Sequence, residues 1–324
     1  MRKFVLLTGV VSVLSIVSFS ARGAVALNAV DRYVVGNGYA GAQFLRIQNT
    51  YRLPVIINGK AGDLTIDTGS PSAVVFQAVM NKFGLTREET DIAVHGAFGK
   101  GKEKIGRTSI RQLAMGNCTL MNVKAAVISE PGGSGLYRAY GATDGLFGLS
   151  EMMKYGAVLD ISNRLLMVNP RGQTKGISAG IRSILTKEGY TPVELSIRGG
   201  HLHVSAVVNG TPCRLVVDTG AFLTVLDDGF ARKARLGGYN TGAYAQGFGT
   251  KARPIQVSQF PEFKVGDFTI RNASVTITPL SSGLLGGDGN DAAVGLLGAE
   301  YLGMHGAIFD FNSATLYLRP KRKS

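Results

Sequence analysis

The chain is written twice, and that constrains it more than any other feature. Leu64–Phe76 (LTIDTGSPSAVVF) returns as Leu215–Leu226 (LVVDTGAFLTVL), 151 residues later. Asn58-Gly59 returns as Asn209-Gly210 at the same shift. Further along the shift is 150 and holds to the end. Phe98-Gly99 matches Phe248-Gly249, and Gly116 matches Gly266. Asp144–Ser150 (DGLFGLS) matches Val294–Glu300 (VGLLGAE), and Ala157–Pro170 matches Ala307–Pro320. One residue of slippage over correspondences that keep their order marks a duplication.

Each copy reads as short strands and tight turns. A β-rich lead-in ends at Asn-Gly, a hairpin signal, because both residues accept positive φ. A strand then runs into Asp-Thr-Gly and a short amphipathic helix, Phe76–Phe83 or Asp227–Ala234. A Gly-rich hairpin follows, HGAFGKG (His95–Gly101) or AQGFGTK (Ala245–Lys251), then alternating strands, an apolar-apolar-Gly strand, a helical turn and a closing strand. Of the 44 glycines, 14 recur as pairs at the repeat shift, at turns and points of close approach. Segment 171–180 has no apolar periodicity and reads as the link. The division is 1–26 as a leader, 27–175 as the first lobe and 176–324 as the second; whether residues 27–50 form a propeptide or an N-terminal strand is open.

The leader reading rests on Arg2 and Lys3, an apolar run from Phe4 to Phe19, and Ala24-Val25-Ala26 as the small-residue cut site. The run is shorter than the ~20 residues that span a bilayer, and no later stretch is long enough. Cutting after Ala26 implies an exported protein, periplasmic or secreted, with no transmembrane segment left. It removes Arg2, Lys3 and Arg22 and no acid, lowering the formal charge from +13 to +10. Such a protein suits an anionic surface, although a solvated basic face accounts for the same charge. The basic residues are scattered without interleaved aromatics, which argues against nucleic acid.

Asp67 and Asp218 stand at the same place in each copy, at the end of an apolar strand. A pseudo-twofold axis between the copies would bring them together. Two adjacent carboxyls cannot both ionise cheaply, so one keeps its proton and the pair can act as base and acid at once.

With D-T-G-S at Asp67–Ser70, D-T-G-A at Asp218–Ala221, and Leu146-Phe147-Gly148 and Leu296-Leu297-Gly298 downstream, residues 40–320 resemble the aspartic peptidases of the pepsin and retropepsin group. The likeness is greatest to duplicated, two-lobed bacterial retropepsin-like proteases. The resemblance implies an all-β, bilobal acid-protease fold with a few short helices. Asp67 and Asp218 would be catalytic, with Thr68, Gly69, Ser70, Thr219, Gly220 and Ala221 supporting the loops. Thr68 and Thr219 would hydrogen-bond across the axis, and the apolar-apolar-Gly strands would pack behind the loops. Phe98, Gly99, Phe248 and Gly249 would form two flaps over an extended polypeptide substrate. The Ser70 hydroxyl would favour an ionised Asp67. The chemistry needs no metal and no cofactor, and the duplicated chain suits a monomer. A peptidase-like module that holds a peptide without cutting it is the alternative; the presence of both Asp-Thr-Gly triplets argues against it.

Other signals are weaker. Gly286–Val294 fits a single calcium-binding nonapeptide, which works only in stacked copies, and reads as a connecting loop. His201 and His203 alternate without a third ligand at metal spacing and read as an exposed strand start. His95 has Ala245 as its counterpart and receives no catalytic role. Cys118 and Cys213, the only cysteines, occupy non-equivalent positions, so a disulfide between them stays open.

Overall fold

A computed structural model describes residues 26–96, 99–128, 143–174, 176–245, 253–280 and 292–321. The segment 1–25 of the leader, and 281–291 with most of the nonapeptide, lie outside the described residues.

The duplication is visible strand for strand. The first lobe is an eight-stranded sheet in the spatial order Leu45–Ile47, Thr50–Ile57, Lys60–Ile66, Gly145–Phe147, Val74–Phe76, Cys118–Ile128, Gly99–Met115, Glu88–Gly96. The second repeats it as Ser196–Arg198, His201–Val208, Thr211–Val217, Gly295–Leu297, Val225–Asp227, Phe268–Thr278, Arg253–Val265, Tyr239–Ala245. The Asn-Gly signals turn the same hairpin in both. Asn58 and Gly59 have φ of 48° and 83°, Asn209 and Gly210 46° and 78°, as a two-residue turn with both central residues at positive φ requires. Inward apolar side chains, among them Leu53, Ile57, Leu64, Leu215, Val217 and Phe263, form one core that continues through both lobes.

The closing segments do something the repeat pattern does not announce. Each copy's final stretch is two strands, and both copies merge into one six-stranded antiparallel sheet. Its order is Ala40–Gln43, Leu165–Val168, Val158–Asp160, Ile308–Asp310, Thr315–Leu318, Thr191–Glu194. At its centre Leu159 pairs with Phe309, Val158 with Asp310 and Asp160 with Ile308. Leu159 and Phe309 are counterparts in the duplication, so the pseudo-twofold passes between them.

Two helices cover this sheet with a second apolar core. Ala29–Gly36 buries Val30 and Val34; Ile177–Lys187 buries Ile177, Ile181 and Leu185 at four-residue spacing. Each such side chain contributes ~1.5–3 kcal/mol when fully buried. Val30 and Ile181, like Val34 and Leu185, are 151 apart, so the helices are themselves a repeated pair. The second helix begins inside the segment read as a featureless link, because cutting the window at 180 leaves only one of its three buried positions followed by polar residues. Residues 29–43 supply a helix and a strand of the shared sheet, as integral parts of the fold. No helix among the described residues is long and apolar enough to cross a membrane.

Candidate active site

The strand Lys60–Ile66 is clamped between Thr50–Ile57, antiparallel, and Gly145–Phe147, parallel. The clamp carries past the strand end, where the Asp67 N–H donates to the Phe147 carbonyl at 3.0 Å. Asp218 repeats this with the Leu297 carbonyl, also at 3.0 Å. The apolar-apolar-Gly strands thus lie directly behind the Asp loops. Any side chain at Gly148 would place its Cβ 2.1 Å from the Ser72 carbonyl oxygen, and at Gly298 2.4 Å from the Leu223 backbone.

The two loops meet at the pseudo-twofold. Thr68 N–H donates to Thr219 Oγ1 and Thr219 N–H to Thr68 Oγ1, each at 3.0 Å. The hydroxyls donate onward across the axis, Thr68 to the Val217 carbonyl at 2.7 Å and Thr219 to the Ile66 carbonyl at 2.8 Å. Both threonines are fully buried. The carboxyls of Asp67 and Asp218 hydrogen-bond to each other, and each keeps part of its surface open. Gly69 and Gly220 allow this approach. A Cβ on Gly69 would fall 2.4 Å from the Asp218 carboxyl carbon, and one on Gly220 2.5 Å from that of Asp67.

Each carboxyl accepts two backbone N–H bonds at Oδ1. Gly69 and Ser70 donate to Asp67 at 2.8 and 3.0 Å, Gly220 and Ala221 to Asp218 at 2.8 and 3.1 Å. The backbone surroundings are therefore nearly symmetric. Burial, then the Asp218 charge and the shared hydrogen bond, push Asp67 well above the usual carboxylate range. Burial also raises Asp218, against bonds from Gly220, Asp67 and Ala221 and the field of His201. A pair in this state holds one proton between its two members, and that proton belongs to the pair. The expectation that Ser70 favours an ionised Asp67 is not met: its hydroxyl donates to the Ser72 carbonyl at 2.9 Å. His201, at the start of the strand beside the loop, is held towards its neutral form by burial.

Three features escape the sequence reading. Glu151 accepts the Ala73 N–H at 2.6 Å, and Glu300 accepts that of Thr224, bracing the far side of each loop. Ala73 and Thr224 are counterparts, but Glu151 aligns with Tyr301 and Glu300 with Ser150, so aligning the copies does not pair the two glutamates. The third feature is the histidine pair, which is no exposed strand start. His203 is 1% exposed and His201 half-buried. Burial and the charges of His201, Arg214 and Arg198 push His203 down to about 4.

Both lobes carry the expected hairpin, Glu88–Gly96 with Gly99–Met115 and Tyr239–Ala245 with Arg253–Val265. Gly99 pairs with Gly96 across the first. Phe98, Phe248 and Gly249 lie outside the described residues. Cys118 and Cys213 are both free thiols.

The family model for aspartyl proteases matches residues 53–150 and again residues 204–301. The chain belongs to the aspartyl protease family. The two matches fall one on each lobe, so in this family member a single chain supplies both halves of the site. Among solved structures, the aspartic proteinase from Irpex lacteus superposes with a TM-score of 0.51, covering 88% of this chain and 98% of that one. Sequence identity is 13%, so the likeness is one of fold. No curated protein sequence matches the chain.

Proposed function

We propose that this aspartyl protease is an exported endopeptidase whose catalytic groups are Asp67 and Asp218. The supporting observation is the carboxyl pair brought together at the pseudo-twofold, where burial raises both members. A water bound between them attacks the scissile carbonyl carbon. The ionised member takes a proton from that water while the protonated member donates its own to the carbonyl oxygen, giving a tetrahedral diol. On collapse the C–N bond breaks, the member that took the proton passes it to the leaving nitrogen, and the other recovers one from the diol. The donors to each Oδ1 hold both carboxyls in place throughout. The substrate is a polypeptide lying extended between the lobes, pairing with hairpin backbone and presenting alternate side chains. Closure of the hairpins over it excludes water from the pair. Leader residues 1–26 direct the protein to the periplasm or outside, with cutting after Ala26.

Asp218→Asn and Asp67→Asn, purified beside the parent, test the assignment. Each should abolish cleavage of a mixed peptide library while circular dichroism and the melting temperature stay near the parent's. Full cleavage by either variant overturns the dyad. A parent that binds library peptides without cutting them overturns the endopeptidase reading.

A further inference from the structure

Beneath the first helix, away from the Asp-Thr-Gly loops, lie two carboxyls that catalysis does not use. Asp31, in Ala29–Gly36, and Asp160, in the shared sheet, are both fully buried. Asn28 links them, its N–H donating to Asp31 Oδ2 at 3.2 Å and its side-chain amide to Asp160 Oδ2 at 2.7 Å. Asn163 links them again, its N–H to Asp160 Oδ1 at 2.8 Å and its side-chain amide to Asp31 Oδ2. Asp31 Oδ1 is sealed from solvent and has no hydrogen-bond partner among the described residues. Burial raises both groups, Asp160 to about 6. Arg32 and Glu188 face Asp31; Arg319, Tyr190 and Asp31 itself face Asp160.

Among the described residues the second lobe has no such pair. Asp310, counterpart of Asp160, is satisfied by Asn312 and Ser313. The counterparts of Asn28 and Asp31 are Ala179 and Arg182. A buried carboxylate oxygen without a donor is costly, so the extra acid of the first lobe calls for a cation.

The chain places one there. The side-chain amide of Asn163 that holds Asp31 also donates to the Ala26 carbonyl at 3.3 Å. That carbonyl belongs to the peptide bond whose nitrogen is Leu27. Arg32 holds the Leu27 carbonyl at 2.5 Å, and the Leu27 side chain packs on the second core. The bond after Ala24-Val25-Ala26 therefore sits beside the acid pair, one residue ahead of the Asn28 N–H that already contacts Asp31.

We infer that cleavage after Ala26 creates a ligand for this pair: the new α-ammonium of Leu27 binds Asp31 at its unpartnered oxygen, with Asp160 behind it. Hydrolysis of the Ala26–Leu27 amide consumes one water. The Ala26 carboxylate leaves with the leader, and the Leu27 nitrogen becomes a cation with three donors. Leader removal and completion of the buried polar network are then one event. The inference rests on the export reading for the position of the cut.

Two measurements keep the two apart. N-terminal sequencing of protein exported from the full chain should return Leu27 first; another residue refutes the cut. Independently, the chain from Leu27 can be released from a ubiquitin fusion, which leaves Leu27 as first residue. Its α-amine, titrated by the pH dependence of acylation, should sit at least one unit above the ordinary ~7.7–8.0. Asp31→Asn, which keeps the helix-capping acceptor, should return it to that range. Acetylating the amine should lower the melting temperature at pH 7.5, and the loss should shrink as the pH falls and the carboxyls take up protons. An ordinary α-amine in the Leu27-first chain, or an acetyl group without effect at pH 7.5, overturns the site.

Discussion

Replacing Thr219 by valine removes a hydroxyl with almost no change of shape, and the structure says what that costs. Thr219 Oγ1 accepts the Thr68 N–H at 3.0 Å and donates to the Ile66 carbonyl at 2.8 Å. Both bonds are buried, so neither abandoned group gains water. An unsatisfied buried partner costs ~1–3 kcal/mol, and two of them ~2–6 kcal/mol. Against a total folding stability of ~5–15 kcal/mol that is a large fraction. Thr68→Val orphans a different pair, the Thr219 N–H and the Val217 carbonyl, and should cost about as much. The double variant should cost less than the two together, because water that enters after the first loss satisfies groups orphaned by the second. Thr219→Ser keeps both bonds and should stay within ~1 kcal/mol of the parent. Urea unfolding followed by circular dichroism reads the stability; peptide cleavage reads the site. If loosened loops shift the carboxyls by ~1 Å, kcat/KM should fall ~10²-fold. Thr219→Val with the parent's unfolding midpoint and the parent's kcat/KM would refute the idea that these bonds hold the lobes in register.

Two further outcomes follow from the same neighbourhood. Gly69→Ala, whose Cβ would lie 2.4 Å from the Asp218 carboxyl carbon, should lower kcat/KM at least ~10²-fold with far less effect on unfolding; near-parent turnover would show that the carboxyls do not approach across Gly69. His203 is neutral and buried, its pKa lowered from 6.5 to about 4, so its contribution is full above pH 6.5 and lost as pH falls through about 4. At ~1.4 kcal/mol per unit that loss is at most about 3.5 kcal/mol. Urea midpoints at pH 7 and pH 4 should differ less in His203→Gln than in the parent, and an unchanged difference would remove His203 as the cause.

The duplication, the paired Asp-Thr-Gly loops, the Asn-Gly hairpins and the apolar-apolar-Gly strands were legible in the amino-acid order because each is a local pattern repeated at one shift. Their conformations are set within a few residues, by positive φ at Asn58-Gly59 or by apolar alternation into Asp67. Periodicity alone also places the helix Ile177–Lys187, once its three buried positions fall in one window.

What the order of residues could not settle are matters between segments far apart in the chain. The six-stranded sheet depends on Leu159 meeting Phe309, 150 residues away. That two carboxyls share a proton depends on Asp67 and Asp218 meeting across the axis, whereas Ser70 turns to its own neighbour. Glu151 and Glu300 do one job from unmatched positions, and His203 is inside although its alternation with His201 suits either face. Strand and turn propensities are properties of neighbours in sequence; burial, proton placement and the partners of a polar atom are properties of neighbours in space, and only packing the two lobes on a common axis determines those.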